Sequence, residues 1–238
     1  MVTKRIAIIP ARGGSKRIPK KNIINFAGKP MIQWSIEAAL LSKMFERVIV
    51  STDDEEIAEV SRQCGAEVPF LRHKYADDYA TVSQATLSAL EQAEDYWSTG
   101  YDTVTQLMAN CPLRTASDIT RALTTFEQKR RTFQLSCFEF GWMNPWWAAT
   151  IDQSGRPANL FPDASNQRSQ DLPPLYCPTG AIWVASCAAL KNAGTFYGPD
   201  HYYEPISWFS AVDIDDRDDL MFALSIKNTI QQTSLGDN

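Results

Sequence analysis

A cluster of positive charges follows the first apolar stretch of the chain. The sequence ARGGSKRIPKKN, at positions 11–22, contains five cations: Arg12, Lys16, Arg17, Lys20 and Lys21. Gly13 and Gly14 would let the backbone approach a phosphate closely, while the lysine and arginine side chains supply positive charge. A bound polyphosphate would offset the repulsion within the cluster; the alternative interpretation is a solvated basic loop. The stretch matches neither the Walker A pattern G-x-x-x-x-G-K-[ST] nor the dinucleotide-binding pattern G-x-G-x-x-G.

Two aspartates near the end of the chain are candidates for binding a divalent cation. Asp213 and Asp215 follow the stretch WFSAV at positions i and i+2, so an extended backbone would place both carboxylates on one face. Carboxylate oxygens suit Mg²⁺ and leave coordination positions for phosphate and water. The alternative is that Asp215 or Asp216 caps the last helix, whose dipole an acidic first turn would favour.

The elements that would position these residues alternate between strand and helix. Strands are predicted at residues 6–11, 47–52, 67–71 and 102–108, and helices at residues 31–45, 55–64, 82–97 and 117–128. Asp53, with Glu56 three residues later, is predicted to cap the second helix. Such alternation favours parallel βαβ units and a three-layer α/β/α fold with a mostly parallel, doubly wound sheet. The basic loop follows the first strand, where sheets of this kind commonly bind phosphate.

The alternation is interrupted in residues 131–178. This stretch contains two strand-like segments of a predicted hairpin (132–140 and 144–152), a turn signal (153–156) and a polar, proline-rich run (157–178). The alternation then resumes with predicted strands at 180–186 and 208–215, a short helix ending near Gly194, and a last helix from Arg217 to about Gln232. We therefore divide the chain into an α/β domain of residues 1–130 and 179–238 and an inserted extension of residues 131–178.

Composition excludes several classes of protein. A formal net charge of −5 argues against a general nucleic-acid-binding protein, because binding to a phosphate backbone requires a basic face. The five cysteines are widely spaced and form no C-x-x-C pair, which indicates neither a zinc site nor a disulfide framework and favours the reducing cytoplasm. No apolar run approaches the roughly 20 residues of a membrane span. The first apolar run ends at Pro10, which is too early for a signal peptide.

Five blocks of the sequence resemble one known family. They are ARGGSKRIPKKNI followed by Gly28-Lys29-Pro30, VSTDDEEIAEVSRQCGAEVPFLR (50–72), CPLR (111–114), TGAIWVA (179–185) and VDIDDRDDL (212–220). In this order they resemble the CMP-N-acylneuraminate synthetases, the cytidylyltransferases that activate nine-carbon sugar acids of the sialic type. The family includes pseudaminic and legionaminic acid branches. The resemblance covers nearly the whole chain, and it implies the nucleotidyltransferase form of the three-layer fold.

The resemblance implies a reaction and assigns roles to matching residues. Family members use CTP and Mg²⁺ (or Mn²⁺); the anomeric hydroxyl of the sugar acid attacks the α-phosphorus, pyrophosphate leaves and a CMP-sugar forms. By this likeness Lys16 would lie on the mobile part of the loop, Asn22 and Arg72 would lie near cytosine, and Asp213 and Asp215 would bind the metal. The implied catalytic residues are Arg12, Lys21 and Asp213. The implied nucleotide-binding residues are Ala11, Arg12, Gly13, Gly14, Lys16, Lys21, Asn22 and Arg72.

This chain departs from the family pattern at two positions assigned to the sugar. Met108 stands where family members often have glutamine, and Gln106, two residues earlier on the same strand face, is the candidate to replace it. Cys177 stands where some members have an arginine for the sugar carboxylate, which leaves Arg168 as the cationic candidate. The segment RSQDLP resembles the pseudaminic acid branch and TGAIW the neuraminate branch, so the sequence leaves the identity of the sugar acid open.

The resemblance also implies a homodimer that binds CTP and a nonulosonic acid, and the composition predicts no nucleic-acid or membrane partner. Family members pair through an extension at the place of residues 131–178, where aromatic residues suit an interface. Part of this extension would close over the sugar site of the partner. The alternatives are an enzyme like the CMP-KDO synthetases, which activate an eight-carbon acid, and a non-catalytic nucleotide-binding paralogue. An NAD-dependent dehydrogenase is disfavoured because its glycine pattern is missing.

Overall fold

The centre of the molecule is a six-stranded β-sheet. The computed structural model describes residues 3–75 and 80–236, in which the strands are β1 (Arg5–Pro10), β2 (Asn25–Phe26), β3 (Lys29–Pro30), β4 (Arg47–Ser51), β5 (Thr103–Gln106), β6 (Phe133–Glu139), β7 (Ala149–Ile151), β8 (Pro157–Asn159), β9 (Tyr176–Ser186) and β10 (Tyr202–Pro205). The order across the sheet is β10-β6-β9-β5-β1-β4. β2 pairs with β3, and β7 with β8, in two separate hairpins.

Helices cover both faces of this sheet. They are α1 (Met31–Ser42), α2 (Glu55–Gln63), α3 (Val82–Trp97), α4 (Ala116–Gln128), α5 (Cys187–Ala193) and α6 (Arg217–Gly236). Successive residues of a strand face opposite sides of a sheet: Ala7 and Ile9 pack in one core with α1, α2 and α4, whereas Ile6 and Ile8 pack in another with α3 and α5. The three-layer α/β/α prediction is thus confirmed. In the described part of the chain, no helix combines the length and apolar character that a membrane span requires.

Strand β9 runs in the opposite direction to the other strands of the central sheet. β1 pairs in parallel with β4 and β5, and β6 pairs in parallel with β10, but β9 runs antiparallel to both β5 and β6. β9 follows the extension rather than a crossover helix, and an antiparallel neighbour needs no helical crossover. The sheet is therefore mostly parallel, as predicted, with one reversed strand in its interior.

Two segments predicted as strands have a different structure. In residues 67–71 only Glu67 pairs, through an isolated bridge to Ile49. Residues 208–215 contain a short 3₁₀ helix, Phe209–Ala211, and then irregular backbone, and the sheet strand of this region is β10. Both strand predictions were wrong, because an apolar run of four to eight residues does not by itself distinguish a strand from a packed loop. Asp213 and Asp215 consequently lie outside the sheet.

The predicted cap of α2 was displaced by one residue. The carboxylate of Asp54, not that of Asp53, accepts hydrogen bonds from the backbone N–H groups of Glu56 and Ile57, at 2.8 and 3.1 Å. Asp53 instead accepts a hydrogen bond from the backbone N–H of Gly13, at 3.0 Å. The two adjacent aspartates therefore have different tasks, since one begins a helix and the other anchors the basic loop.

The extension begins later than residue 131. Residues 133–139 form β6 within the central sheet, because Phe133 to Cys137 are buried between the two helical layers. The predicted pairing of 132–140 with 144–152 is replaced by the β7–β8 hairpin, whose turn in residues 152–156 contains the predicted turn residues 153–156. The chain leaves the sheet after Glu139 and rejoins it at Tyr176. The role of this extension in dimerisation stays a prediction.

Candidate functional site

A crevice of about 450 Å³ opens at the carboxyl ends of β1 and β5. Open α/β sheets bind their ligands at this edge. The crevice is walled by the loop after β1, the start of α3, the residues that follow β5 and the segment before α6. Six residues predicted for the site from the sequence line it: Arg12, Lys16, Lys21, Asn22, Arg72 and Asp215.

A small apolar core brings the basic loop and the acidic segment together. Ile18 of the loop and Ile214 of the acidic segment are both buried in one cluster with Ala223 and Ile226 of α6. Ile18 follows Arg17, and Ile214 lies between Asp213 and Asp215. Burial of these two isoleucines holds their charged neighbours beside the crevice, so the hydrophobic effect supplies the energy that assembles a polar site.

Gly13 allows the basic loop to pack closely against α2. A Cβ atom at position 13 would lie 2.7 Å from the carboxylate oxygen Oδ2 of Asp54, closer than a real contact permits. At Gly14 the same atom would meet nothing within 4 Å. The first glycine is thus required by packing as well as by the hydrogen bond to Asp53, and only the second has the open backbone that the sequence predicted for a phosphate contact.

Two cations of the loop bind one carboxylate of the acidic segment. The Nζ atom of Lys21 donates to Oδ1 of Asp215 and to the backbone carbonyl of Ile214, both at 2.8 Å. Arg17 donates to Oδ2 of Asp215 at 2.6 Å. The Lys21 side chain is 15% exposed and that of Arg17 is 62% exposed, so Lys21 is the more desolvated partner. The prediction that the basic loop and the acidic pair share one crevice therefore agrees with the geometry.

The two acidic residues have opposite pKa shifts. Burial acts to raise the pKa of Asp215, but hydrogen bonds and charge from Lys21 and Arg17 outweigh it and hold that pKa below its usual value. Burial of the carboxylate, together with the negative charge of Asp215, raises the pKa of Asp213 to about 6, even though the residue as a whole keeps an exposed surface. The ionised form of Asp213 is thus disfavoured by its surroundings, as expected of a site that binds a cation.

Replacing Asp213 with asparagine is expected to stabilise the metal-free protein at neutral pH. The folded protein binds the proton of Asp213 up to about pH 6, whereas the unfolded chain releases it near the ordinary value of 3.8. Stability from this group is therefore present below pH 3.8 and lost as the pH rises through 6. In EDTA, the thermal midpoint of Asp213→Asn should exceed that of the wild type at pH 7 and match it below about pH 4.

Asp218 provides the matched control for this measurement. It lies exposed in the first turn of α6, where a negative charge is favourable to the helix. Asp218→Asn should leave the midpoint at pH 7 unchanged or slightly lower. Equal midpoints for wild type and Asp213→Asn at pH 7 would contradict the raised pKa of Asp213.

Arg72 places a buried guanidinium in the wall of the crevice. Its backbone N–H donates to the carbonyl of Thr52 at 2.7 Å, and Nη1 donates to the carbonyl of Ser51 at 3.3 Å. Burial lowers its pKa, and within the described residues its Nε atom has no hydrogen-bond partner. A buried donor without a partner is costly, so a carbonyl or anionic ligand group in the crevice would be bound favourably here.

The structure does not bring the two predicted sugar-binding residues to the crevice. Gln106 is fully buried, and its amide donates to the carbonyl of Gly180 at 3.4 Å. Arg168 is exposed in the extension and paired with Asp171. Met108 lines the crevice instead, packed over Gly180, where a Cβ atom would lie 2.6 Å from the Met108 Cγ atom. The wall at this point is therefore apolar.

Sequence reasoning missed two features of the site. Asn110, in the loop after β5, lines the crevice and donates hydrogen bonds to the acidic segment. Thr81 and Val82 form another wall where α3 begins, and Thr81 makes a capping box with Gln84. The start of α3 was predicted correctly at residue 82, but its T-x-x-Q capping pattern did not indicate that it lies beside the basic loop. No sequence signal distinguished Asn110 from any other loop asparagine.

Asp213 and Asp215 are the residues that could bind a metal ion. In the described residues no group of three or more histidine, cysteine or acidic side chains is arranged as a metal site. The nearest carboxylate oxygens of Asp213 and Asp215 both lie within hydrogen-bond reach of one nitrogen atom, Nδ2 of Asn110, and are therefore close together. Two carboxylates, with phosphate and water completing the shell, form a donor set that fits Mg²⁺.

The fold and the site together define a three-layer α/β/α protein with a charged ligand crevice at the carboxyl ends of its parallel strands. The molecule superposes on a solved CMP:2-keto-3-deoxy-manno-octonic acid synthetase complexed with CTP, with a TM-score of 0.70 and 15% sequence identity. The match covers 95% of this chain and 99% of that chain. At this identity the likeness shows the fold.

Sequence comparisons identify the family. The family model described as cytidylyltransferase matches residues 6–153. The chain is 37% identical over 222 residues to a pseudaminic acid cytidylyltransferase of Campylobacter jejuni. This match covers 92% of this chain and 94% of that protein. It is 33% identical to a CMP-N,N'-diacetyllegionaminic acid synthase of Legionella pneumophila, over 81% of this chain and 82% of that protein. The chain belongs to the cytidylyltransferase family and is an enzyme of the nucleotidyltransferase class.

Proposed function

We propose that the protein transfers CMP from CTP to the anomeric hydroxyl of a nonulosonic acid and releases pyrophosphate. Family membership supports the transfer, and relatives named for pseudaminic and legionaminic acids support the class of acceptor. The observation that carries the proposal is the meeting of Lys21 and Arg17 with Asp215, beside Asp213, at one crevice. A site for phosphoryl transfer needs this combination of cations and metal-binding carboxylates.

The crevice residues divide into three tasks. Arg12, Lys16 and Lys21 would bind the triphosphate and neutralise charge as pyrophosphate leaves. Asn22 and Arg72, which are buried and line the crevice, would bind the cytosine. Ala11, Gly13 and Gly14 would supply the backbone of the phosphate loop.

Asp213 and Asp215 would hold Mg²⁺ or Mn²⁺ beside the phosphates. The bound ion would supply positive charge to the α-phosphate oxygens and help orient the triphosphate. Lys21 and Arg17 donate to both oxygens of Asp215. These cations would keep this carboxylate ionised and positioned beside the phosphates.

Pseudaminic acid is the first candidate for the acceptor. The Campylobacter protein named for this acid is 37% identical over nearly the whole chain. Met108 forms an apolar wall, and Arg168, which is exposed in the extension and paired with Asp171, would bind the sugar carboxylate. Gln106 is not proposed as a direct contact, because it is fully buried beneath the wall.

We propose that the protein works as a cytoplasmic homodimer formed through the extension. Every residue of β7 and β8 is exposed, and a two-stranded hairpin is marginally stable in water unless another surface covers it. Trp142 and Leu160 nearby are also exposed. A second copy of the chain would bury these apolar side chains and could bring Arg168 to the sugar site of its partner.

A panel of sugar acids tests the proposed function. Purified protein with Mg²⁺ and CTP should release pyrophosphate with pseudaminic acid, and less or none with N-acetylneuraminic, legionaminic and KDO acids. Reactions without a sugar acid provide the baseline. If pyrophosphate were released only with a different nonulosonic acid, that acid would be the acceptor instead. Failure of every acid, with CTP still bound, would contradict the proposed transfer and favour a non-catalytic paralogue.

A further inference from the structure

The acidic segment is held by few regular backbone contacts. Residues 212–216 lie between the 3₁₀ helix Phe209–Ala211 and the start of α6, and they form neither strand nor helix. The side chains of Asp213 and Asp215 repel each other across Ile214. Irregular backbone that carries two like charges keeps one geometry only where other residues attach it, as the burial of Ile214 and the hydrogen bonds of Lys21 do in part.

Asn110 provides such an attachment. Its Nδ2 atom donates to the carboxylate of Asp213 and, at 3.1 Å, to the carbonyl of Ile214, and it lies 3.4 Å from Oδ1 of Asp215. The backbone carbonyl of Asn110 accepts a hydrogen bond from the N–H of Ile214, at 2.9 Å. One residue therefore contacts all three consecutive residues of the acidic segment. All three groups around Nδ2 are acceptors, which is consistent with the NH₂ end of the amide.

The loop that carries Asn110 is itself firmly anchored. The carbonyl of Met108 accepts hydrogen bonds from Ser35 at 3.1 Å and from the buried Arg114 at 3.3 Å. Arg114 also donates to the carbonyl of Ala181 in β9, at 2.6 Å. Asn110 is only 4% exposed. Its amide is thus a rigid donor fixed to the central sheet rather than a mobile surface group.

The chemistry of the amide suits this task better than a charged side chain would. An ammonium group at this position would compete with a divalent cation for the carboxylates. A third carboxylate would add repulsion and remove both N–H donors. The neutral amide orients Asp213 and Asp215 without neutralising either of them.

We propose that Asn110 is a positioning residue that fixes the spacing of Asp213 and Asp215 and thereby prepares them to bind a divalent cation. The inference rests on the proposed function for the role of the cation, but the attachment itself is a property of the metal-free protein. Loss of the Asn110 side chain should loosen residues 213–215 while leaving the cationic loop and the rest of the crevice in place.

Two measurements on Asn110→Ala test this role. In protein treated with EDTA, hydrogen exchange at the Ile214 amide should accelerate at least tenfold, because of the bonds between residue 110 and the acidic segment only the backbone bond remains. In the CTP complex, calorimetric binding of Mn²⁺ should weaken at least tenfold, whereas CTP binding without a divalent ion should change less than twofold. Asn110→Ser, which keeps one donor near the backbone, should give intermediate values in both measurements.

Ser35→Ala is the matched control. Ser35 is buried and anchors the same loop through Met108, yet it does not touch the acidic segment. This variant should lower the thermal midpoint but leave Mn²⁺ binding and Ile214 exchange within twofold of the wild type. Equal effects of Ser35→Ala and Asn110→Ala on Mn²⁺ binding would reduce Asn110 to a general structural role.

The outcomes separate this proposal from the proposed function. Unchanged Ile214 exchange in Asn110→Ala, or in Asn110→Ser if the alanine variant does not fold, would overturn the attachment. Faster exchange together with unchanged Mn²⁺ binding would overturn the link to the cation. If the wild type fails to transfer CMP but Asn110→Ala shows both effects, the proposed function fails and the positioning role stands.

Discussion

Lys21→Ala is expected to lower the turnover of CMP transfer by about 10²–10³-fold, the loss typical of removing one preorganised group that stabilises transition-state charge. Lys21 is the better buried of the two cations that bind Asp215, and it is fixed by hydrogen bonds to Asp215 and the carbonyl of Ile214. Its ammonium group is therefore held in the wall of the crevice, where the proposed function places the phosphate charge. Pyrophosphate release at saturating CTP and sugar acid measures the effect.

Arg17→Ala is the control for Lys21→Ala, because both side chains bind Asp215. Arg17 is largely exposed, and exposed ion pairs contribute at most about 1 kcal/mol. Its replacement should therefore change turnover by less than about tenfold. If Arg17→Ala proved as damaging as Lys21→Ala, with both proteins folded by their thermal midpoints, burial would not be what distinguishes the two cations. A near-normal rate for Lys21→Ala would remove Lys21 from the catalytic residues.

Much of the fold could be predicted because its elements have strong local signals. α3 begins and ends at the predicted residues, since its apolar spacing is regular and Thr81 caps it. The direction of β9 could not be predicted, because a buried apolar run is the same sequence in either direction and only the path of the extension decides it. The segment before Asp213 resembled a strand, yet its apolar residues pack as a 3₁₀ helix. Tertiary packing decided both cases.

The candidate site was predictable where several residues act together and unpredictable where one residue acts alone. The basic loop was found because like charges crowded in sequence require an opposite partner, whereas for the acidic pair helix capping stayed an alternative until the family resemblance favoured a metal site. Gln106 was assigned to the sugar by its strand face, but it lies two residues, about 6–7 Å, deeper in the sheet than Met108, where no ligand reaches it. Asn110 had no neighbour of unusual type, and its role is visible only in the contacts it makes across the fold.

Asp213→Asn is expected to reduce CMP transfer by about 10³-fold or more, because it removes one of the two carboxylates proposed to hold the divalent ion. A metal centre of this kind contributes several kcal/mol of transition-state stabilisation, and Mg²⁺ at such sites depends on one or two carboxylates. The substitution keeps the shape of the side chain, and Asn110 can still donate to its amide oxygen. The loss of turnover should therefore not come from loss of structure.

The same variant should be more stable than the wild type at pH 7, since the raised pKa of Asp213 marks an ionised group that the metal-free fold disfavours. Higher stability joined to lost activity is the result that separates a functional carboxylate from a structural one. Asp218→Asn, which alters the same acidic run at an exposed position, should retain turnover within about twofold. If Asp213→Asn kept a near-normal rate and Mn²⁺ affinity, Asp213 would not be a metal ligand. Its raised pKa would then have no role in the transfer.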